Sequence, residues 1–195
     1  MLDANQKSAA DKFILNKIDR RSFLIAAGVF TGSVSLGGLL SYLYRKHEIQ
    51  SPYSDSENEI IHHFHNHLFP KTADAPGAAE INSIDYLQFV LIDPEIDEEN
   101  KSLLINGVTW LEEECQNEFS KSFIDLSASD KDRILRIIEE ANWGYRYISL
   151  NLNYILEALL SDPIYGGNPD EIGWQWLGHT PGVPRPTKRT MYDKL

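Results

Sequence analysis

The sequence predicts an all-α fold, and three observations carry that prediction. Between residues 56 and 162, apolar side chains recur every three or four positions in five separate segments, the spacing that gathers them on one helix face. Residues that start and stop helices stand at the ends of these segments. No alternating apolar–polar run of useful length competes with them, so no strand is expected. The expected architecture is a small helical bundle over residues 56–162, with a signal or anchor segment over 1–46 and a linker over 47–55 ahead of it. An extended but ordered tail rich in Gly, Pro and aromatic residues follows over 163–195.

The first body helix is marked by Ser56 and Glu59 at capping-box spacing, then by Ile60, Ile61, Phe64 and Leu68, with Pro70 closing the segment. Lys71-Thr72-Ala73-Asp74-Ala75-Pro76-Gly77 reads as a turn. The second helix is expected from Ser83 to Ile92, with Ile84, Leu87 and Leu91 inward, and Asp93-Pro94 ends it. The longest pattern runs from Glu98 to about Ser120, carrying Leu104, Val108, Leu111, Cys115 and Phe119. Ser127 and Asp130 open a fourth helix with Ile134, Leu135, Ile138 and Ala141. A fifth stripe, Ile148, Leu152, Ile155 and Leu159, leads to Asp162-Pro163.

The formal charge of −11 hides an asymmetry. Residues 1–46 hold seven Lys/Arg against three Asp/Glu, a balance of +4, and the remainder holds 11 against 26, a balance of −15. An acidic body of this kind repels phosphates, so nucleic acid is not an expected partner. The single cysteine, Cys115, allows no internal disulfide, and the C-x-x-C-H site of a covalent c-type haem is absent from the sequence.

Several groups carry possible chemistry. His62, His63, His65 and His67 cluster within six residues. On a helix, Glu59, His63 and His67 share one row, while His62 and His65 point elsewhere. A His pair at i, i+4 with a carboxylate suits zinc, but H-E-x-x-H is not present. A stand-alone metal-binding protein or enzyme built on residues 62–67 is therefore the alternative to an interaction role, with a merely His-rich solvated face beside it. Glu112-Glu113-Glu114 fits a solvated helix face, and Cys115, on the apolar stripe, fits a small buried hydrophobe. His179 in the tail has no nucleophile or carboxylate assigned to it by sequence. The sequence holds no G-x-G-x-x-G, no G-x-x-x-x-G-K-[ST] and no G-x-S-x-G.

Residues 22–44 contain no charged side chain, a length sufficient to span a bilayer as a helix. Ahead of them, Asp19-Arg20-Arg21-Ser22-Phe23-Leu24-Ile25 resembles a twin-arginine export signal, with Arg20, Arg21, Phe23 and Leu24 at the matching positions. It differs in Asp19 and in Ile25, where Lys is frequent. A single-pass anchor flanked by positive charges is the other reading. Both expect the acidic body on the periplasmic side of a bacterial inner membrane, anchored if residues 22–44 are retained.

From residue 164 to 186 the chain concentrates five of its twelve Gly, four of its nine Pro and two of its four Trp. That composition forbids a continuous helix, yet a disordered linker normally lacks large aromatics. The run Asp162-Pro163-Ile164-Tyr165-Gly166-Gly167-Asn168, then Gly173-Trp174 and Leu177-Gly178, resembles the tail of the gluconate 2-dehydrogenase subunit 3 family. These are the small or gamma subunits of membrane-bound, flavin-dependent sugar and polyol dehydrogenases. Leu68-Phe69-Pro70 with Pro76-Gly77-Ala78-Ala79 agrees with the family's early pattern, and the resemblance spans about residues 56–186.

The resemblance implies a non-catalytic accessory subunit with no cofactor of its own. FAD would sit on a large subunit of the glucose–methanol–choline oxidoreductase type, and haem on a c-type cytochrome subunit. The small subunit would escort the folded flavoprotein through the twin-arginine translocation machinery and remain bound to it. Under that reading Tyr165, Gly166, Gly167, Asn168, Trp174, Trp176 and His179 are the candidates for a partner interface, the chain's own helices being the other possible seat. A solitary membrane-anchored interaction domain would share all these features except the partner.

Overall fold

Helix formation begins with a reciprocal cap. In the computed structural model, which describes residues 51–191, the Ser54 hydroxyl accepts from the Glu57 N–H. The Glu57 carboxylate in turn accepts from the Ser54 N–H at 2.8 Å. This box starts α1 (Asp55–Leu68), two residues upstream of the Ser56/Glu59 pair favoured by sequence. Both pairs have the right spacing. Ser54 prevails because Tyr53 is buried just ahead of it, its hydroxyl donating to the Leu104 carbonyl at 3.1 Å.

The chain continues through α2 (Ser83–Ile92), α3 (Glu98–Phe119), a 3-10 turn (Phe123–Asp125), α4 (Ala128–Glu139) and α5 (Asn142–Leu160). Two further 3-10 turns, Pro163–Tyr165 and Pro169–Glu171, lead into the short α6 (Ile172–Leu177). The described residues are all-α and contain no strand, and none of their helices is long and apolar enough to cross a membrane. Asp97 caps α3 by accepting from the Asn100 N–H at 2.9 Å, and Ser127 caps α4 by accepting from the Asp130 N–H at 3.2 Å. Arg20, Arg21, Phe23 and Leu24, and the whole uncharged stretch 22–44, lie outside the described residues.

α5 is the hub, packing against α1, α2, α3, α4 and α6. Its buried face is Gly144, Tyr147, Asn151, Ile155, Ala158 and Leu159; of the stripe expected from sequence, Ile155 and Leu159 lie on it, whereas Ile148 and Leu152 do not. Those two side chains are only half-buried. Two stripes one residue apart compete on this apolar helix, and two fits decide between them. The first is Gly107 of α3, where a Cβ would lie 2.3 Å from the Tyr147 ring. That close approach lets Tyr147 reach the core and stack on Phe64 at 5.2 Å, with Phe123 at 5.8 Å beyond it.

The second fit is polar. Asn151, fully buried, donates from Nδ2 to the Tyr147 carbonyl at 2.8 Å. Its Oδ1 is therefore the acceptor facing His65 Nε2 at 2.9 Å. This places the imidazole proton on Nε2, so Nδ1 accepts from the Ser83 hydroxyl at 2.9 Å. One residue each from α1, α2 and α5 thus closes a polar chain with no exposed atom of consequence. A smaller apolar cluster, Ile81, Ile155, Ala158 and Leu159, lies at the far end of α5, with Leu68, Phe69, Tyr86 and Ile172 packed against it.

Two outcomes are expected from this core. Gly107→Ala gains about 1 kcal/mol of helix propensity but forces Tyr147 aside, an overpacking cost of about 3 kcal/mol. Urea unfolding should show a net loss near 2 kcal/mol; an unchanged midpoint would mean that the helices separate freely. His65 behaves differently, through protons. Burial lowers its pKa from 6.5 to about 4, so the folded state holds it neutral while the unfolded chain protonates near 6.5. Stability is therefore complete above pH 6.5 and declines by about 3 kcal/mol as pH falls toward 4. His65→Gln should be less stable at pH 7.5, yet its deficit against the parent should shrink across that window.

Candidate functional site: the C-terminal tail and its seat

The tail is built from local devices that each require the residue present. Asp162 accepts from the Ile164 N–H at 3.1 Å and so starts the first 3-10 turn, whose Pro163 needs no donor there. Gly166 ends that turn at φ 96°, a conformation that an L side chain rarely adopts. Gly167 then passes so near α5 that a Cβ would meet the Ala158 carbonyl at 2.8 Å.

Asn168 is the lock. It is fully buried in the left-handed region at φ 52°, which Asn tolerates better than most residues. Its N–H donates to the Ile81 carbonyl at 2.9 Å, and its Nδ2 donates to the Ser161 carbonyl at 3.0 Å. Its Oδ1 accepts from the Gly173 N–H at 2.7 Å. One side chain therefore ties the α5 terminus to the start of α6, while its backbone holds the loop before α2. Gly173 is pressed against the Leu159 carbonyl, where a Cβ would stand 2.2 Å away. Trp174 is only 4 % exposed and donates from Nε1 to the Leu160 carbonyl at 2.8 Å.

Arg185, which sequence reasoning did not single out, closes the tail back on itself. Its guanidinium pairs with Asp162 at 2.8 Å and with Glu171, and lies 4.9 Å above the Trp174 ring. The two carboxylates hold it firmly protonated. His179 donates its N–H to the Trp174 carbonyl at 2.8 Å and sets its ring edge-on to that indole.

These positions divide the seven interface candidates. Gly167, Asn168 and Trp174 are buried against their own domain. Gly166 is half-buried. Trp176 and His179 face solvent, and Tyr165 is half-buried with its ring 5.3 Å from Phe89. The tail is also less extended than its Gly and Pro content suggests, because α6 fits between Glu171 and Gly178.

The histidine cluster does not converge. His62 is exposed, with its ring edge-on to His63. His65 points into the core. His67 sets its Nε2 2.9 Å from Asp132 Oδ1 and lies edge-on to Phe123. No group of three or more His, Cys, Asp or Glu side chains among the described residues is arranged to hold a metal ion. Cys115 is buried, and burial beside Glu112 and Glu114 pushes its thiol up to about 12, so it is not poised as a nucleophile. Within the Glu112–Glu114 run, Glu112 is not merely solvated, since it accepts from the Phe123 N–H at 2.7 Å.

Asn168→Ala should release the tail and leave the bundle folded. The Gly173 N–H and Ser161 carbonyl would lose their partners, a local loss of about 3 kcal/mol. Amide exchange at Gly173 and Trp174 should then quicken by about a hundredfold, with exchange in the middle of α3 little changed. Uniform acceleration through the whole domain would instead make Asn168 a global stability residue.

The residues that form the lock are those carrying the family resemblance, and the comparison with family models agrees. The model described as Gluconate 2-dehydrogenase subunit 3 matches residues 55–182, from the first residue of α1 to the loop before Arg185. No curated protein and no solved structure matches the chain. With about two thirds of its length covered by that match, and with the shared tail residues serving as the structural lock, the chain belongs to the gluconate 2-dehydrogenase subunit 3 family.

Proposed function

We propose that this protein is the non-catalytic small subunit of a periplasmic, FAD-dependent dehydrogenase of gluconate or another sugar or polyol. In this reading it escorts the folded flavoprotein across the membrane and then stabilises it. Family membership across residues 55–182 is the observation that carries the proposal, since the family is described as a dehydrogenase subunit. The twin-arginine-like Arg20-Arg21-Ser22-Phe23-Leu24 supports the export step. A flavoprotein folds around FAD before it leaves the cytoplasm, so a partner carrying a signal for folded cargo supplies what it lacks. FAD and haem belong to the partner subunits.

Docking of the large subunit is assigned to the junction of α5 and α6. Leu156, Leu160, Trp176 and Leu177 there are each between 43 % and 51 % exposed, and α6 is seated on the α5 terminus through Gly173 and Trp174. Large apolar side chains left half-open are a common mark of an interface, with Trp as a favoured anchor.

Purification from membranes in mild detergent should recover a flavoprotein with this chain. Arg20→Lys with Arg21→Lys should leave both proteins in the cytoplasm, and normal export of the flavoprotein would remove the escort role. Leu160→Glu with Leu177→Glu should reduce recovery of the flavoprotein by about tenfold or more at an unchanged melting temperature. Full recovery would place the docking face elsewhere.

A further inference from the structure

A cleft of about 520 Å³ opens between the C-terminal end of α2, the α2–α3 connection and the middle of α5. Four carboxylates line it: Asp93, Glu95, Asp97 and Glu157. Among the described residues, no Lys, Arg or His lines the cleft and none of these four carboxylates takes part in an ion pair. Four half-buried rings, Tyr86, Phe89, Tyr154 and Tyr165, share the lining with Val90 and Ile96.

Three of the four carboxylates are held by hydrogen bonds, and the fourth, Glu95, is exposed. Glu157 accepts from the Tyr86 hydroxyl at 3.1 Å and from Asn153 Nδ2 at 2.6 Å. Asp93 accepts from the Glu95 N–H at 2.8 Å, and Asp97 is committed to its cap on α3. Negative charge is thus fixed beside aromatic faces. The effect reaches the phenols, since burial followed by Glu157, Asp93 and Asp97 raises the Tyr154 pKa.

Fixed carboxylates next to π faces favour a planar, weakly hydrated cation that can stack and hydrogen-bond together. That description fits a guanidinium better than an ammonium. The space is in the range that holds several hundred daltons of ligand, well beyond one headgroup. A second hollow of about 560 Å³ adjoins it across Phe89, Asp93 and Tyr165, which line both. Two adjoining hollows suit an extended chain with side chains dropping into each.

We propose that this cleft binds an extended, arginine-bearing segment of a partner polypeptide, with a guanidinium seated among the rings and carboxylates. The cleft differs from the apolar α5–α6 junction. Identity of the donor rests on the reading that this chain works inside a complex, but recognition itself does not. Co-purification and peptide binding can therefore fail independently.

The test uses the full chain in mild detergent and three fluorescently labelled probes of one length: Gly-Ser-Arg-Gly-Arg-Ser-Gly, its lysine counterpart and its glutamate counterpart. Anisotropy titration should rank arginine above lysine, with no saturable binding of the glutamate peptide. Raising salt from 50 to 500 mM should weaken the arginine peptide by about tenfold. Glu95→Gln with Glu157→Gln keeps side-chain shape and the Tyr86 hydrogen bond, and should weaken binding by about tenfold. Glu113→Gln, on the exposed face of α3, should leave it unchanged. Tyr154→Leu tests the ring face, with the melting temperature as the folding control. Equal affinity for arginine and glutamate peptides, or equal loss from Glu113→Gln, would overturn the proposal. Spermidine displacing the peptide at its own molar concentration would also overturn it, in favour of a polyamine site.

Discussion

The hydrogen-bond chain from Ser83 through His65 to Asn151 is the constraint on which the arrangement of α1, α2 and α5 rests. Apolar contacts are non-directional, so an apolar helix such as α5 can bury either of two adjacent stripes with similar gain. A buried polar chain is satisfied in one register only, and misregister leaves each group unpaired at a cost of roughly 1–3 kcal/mol. Setting Asn151 against His65 also turns Tyr147 toward Gly107 and Phe64. The same rotation reaches the other end of α5. Ser161, whose carbonyl receives Asn168, stands ten residues beyond Asn151, about 15 Å along the axis. A choice made at the centre of the bundle therefore fixes the seat of the tail.

Helix ends were legible because capping chemistry is local. Asp93-Pro94 ends α2 where expected, and Ser127 caps α4 as its spacing to Asp130 suggests. Ser54 was missed because Tyr53, the residue that selects it, is anchored by a carbonyl 51 positions away. On α5, Ile155 and Leu159 are buried as expected, but the face of the first half was misread for the same reason: nothing near Asn151 in sequence announces a histidine on α1. His65 looked like one of four similar side chains, and only the fold separates it from His62, His63 and His67. The tail motif was legible as a family resemblance, whereas its physical role was not. Gly167 and Gly173 answer neighbours on α5, Gly166 answers Asp85 on α2, and Arg185 answers carboxylates 23 and 14 residues back.

The resulting division of labour separates folding from contact. Gly167, Asn168, Gly173 and Trp174 are buried in seating the tail, and the exposed side chains beside them are a different set of residues. On α5, Leu156 and Leu160 share one face, while Tyr154 and Glu157 share another, about 110° around the helix. The first is apolar and the second acidic and aromatic. One partner lying along α5 can touch both, and two partners can occupy them separately.

Asn168 holds the tail almost entirely through main-chain atoms of other residues: the carbonyls of Ile81 and Ser161 and the amide of Gly173. Trp174 does the same with the Leu160 carbonyl. Attachment of this kind is one-sided in evolutionary terms. The carbonyl-bearing positions can change side chain without loosening the tail, provided the helix persists, whereas Asn168 has no substitute that both donates and accepts at the same reach. Divergence along this family should then strip the acceptor residues of recognisable identity while leaving the asparagine as the persistent mark of the fold.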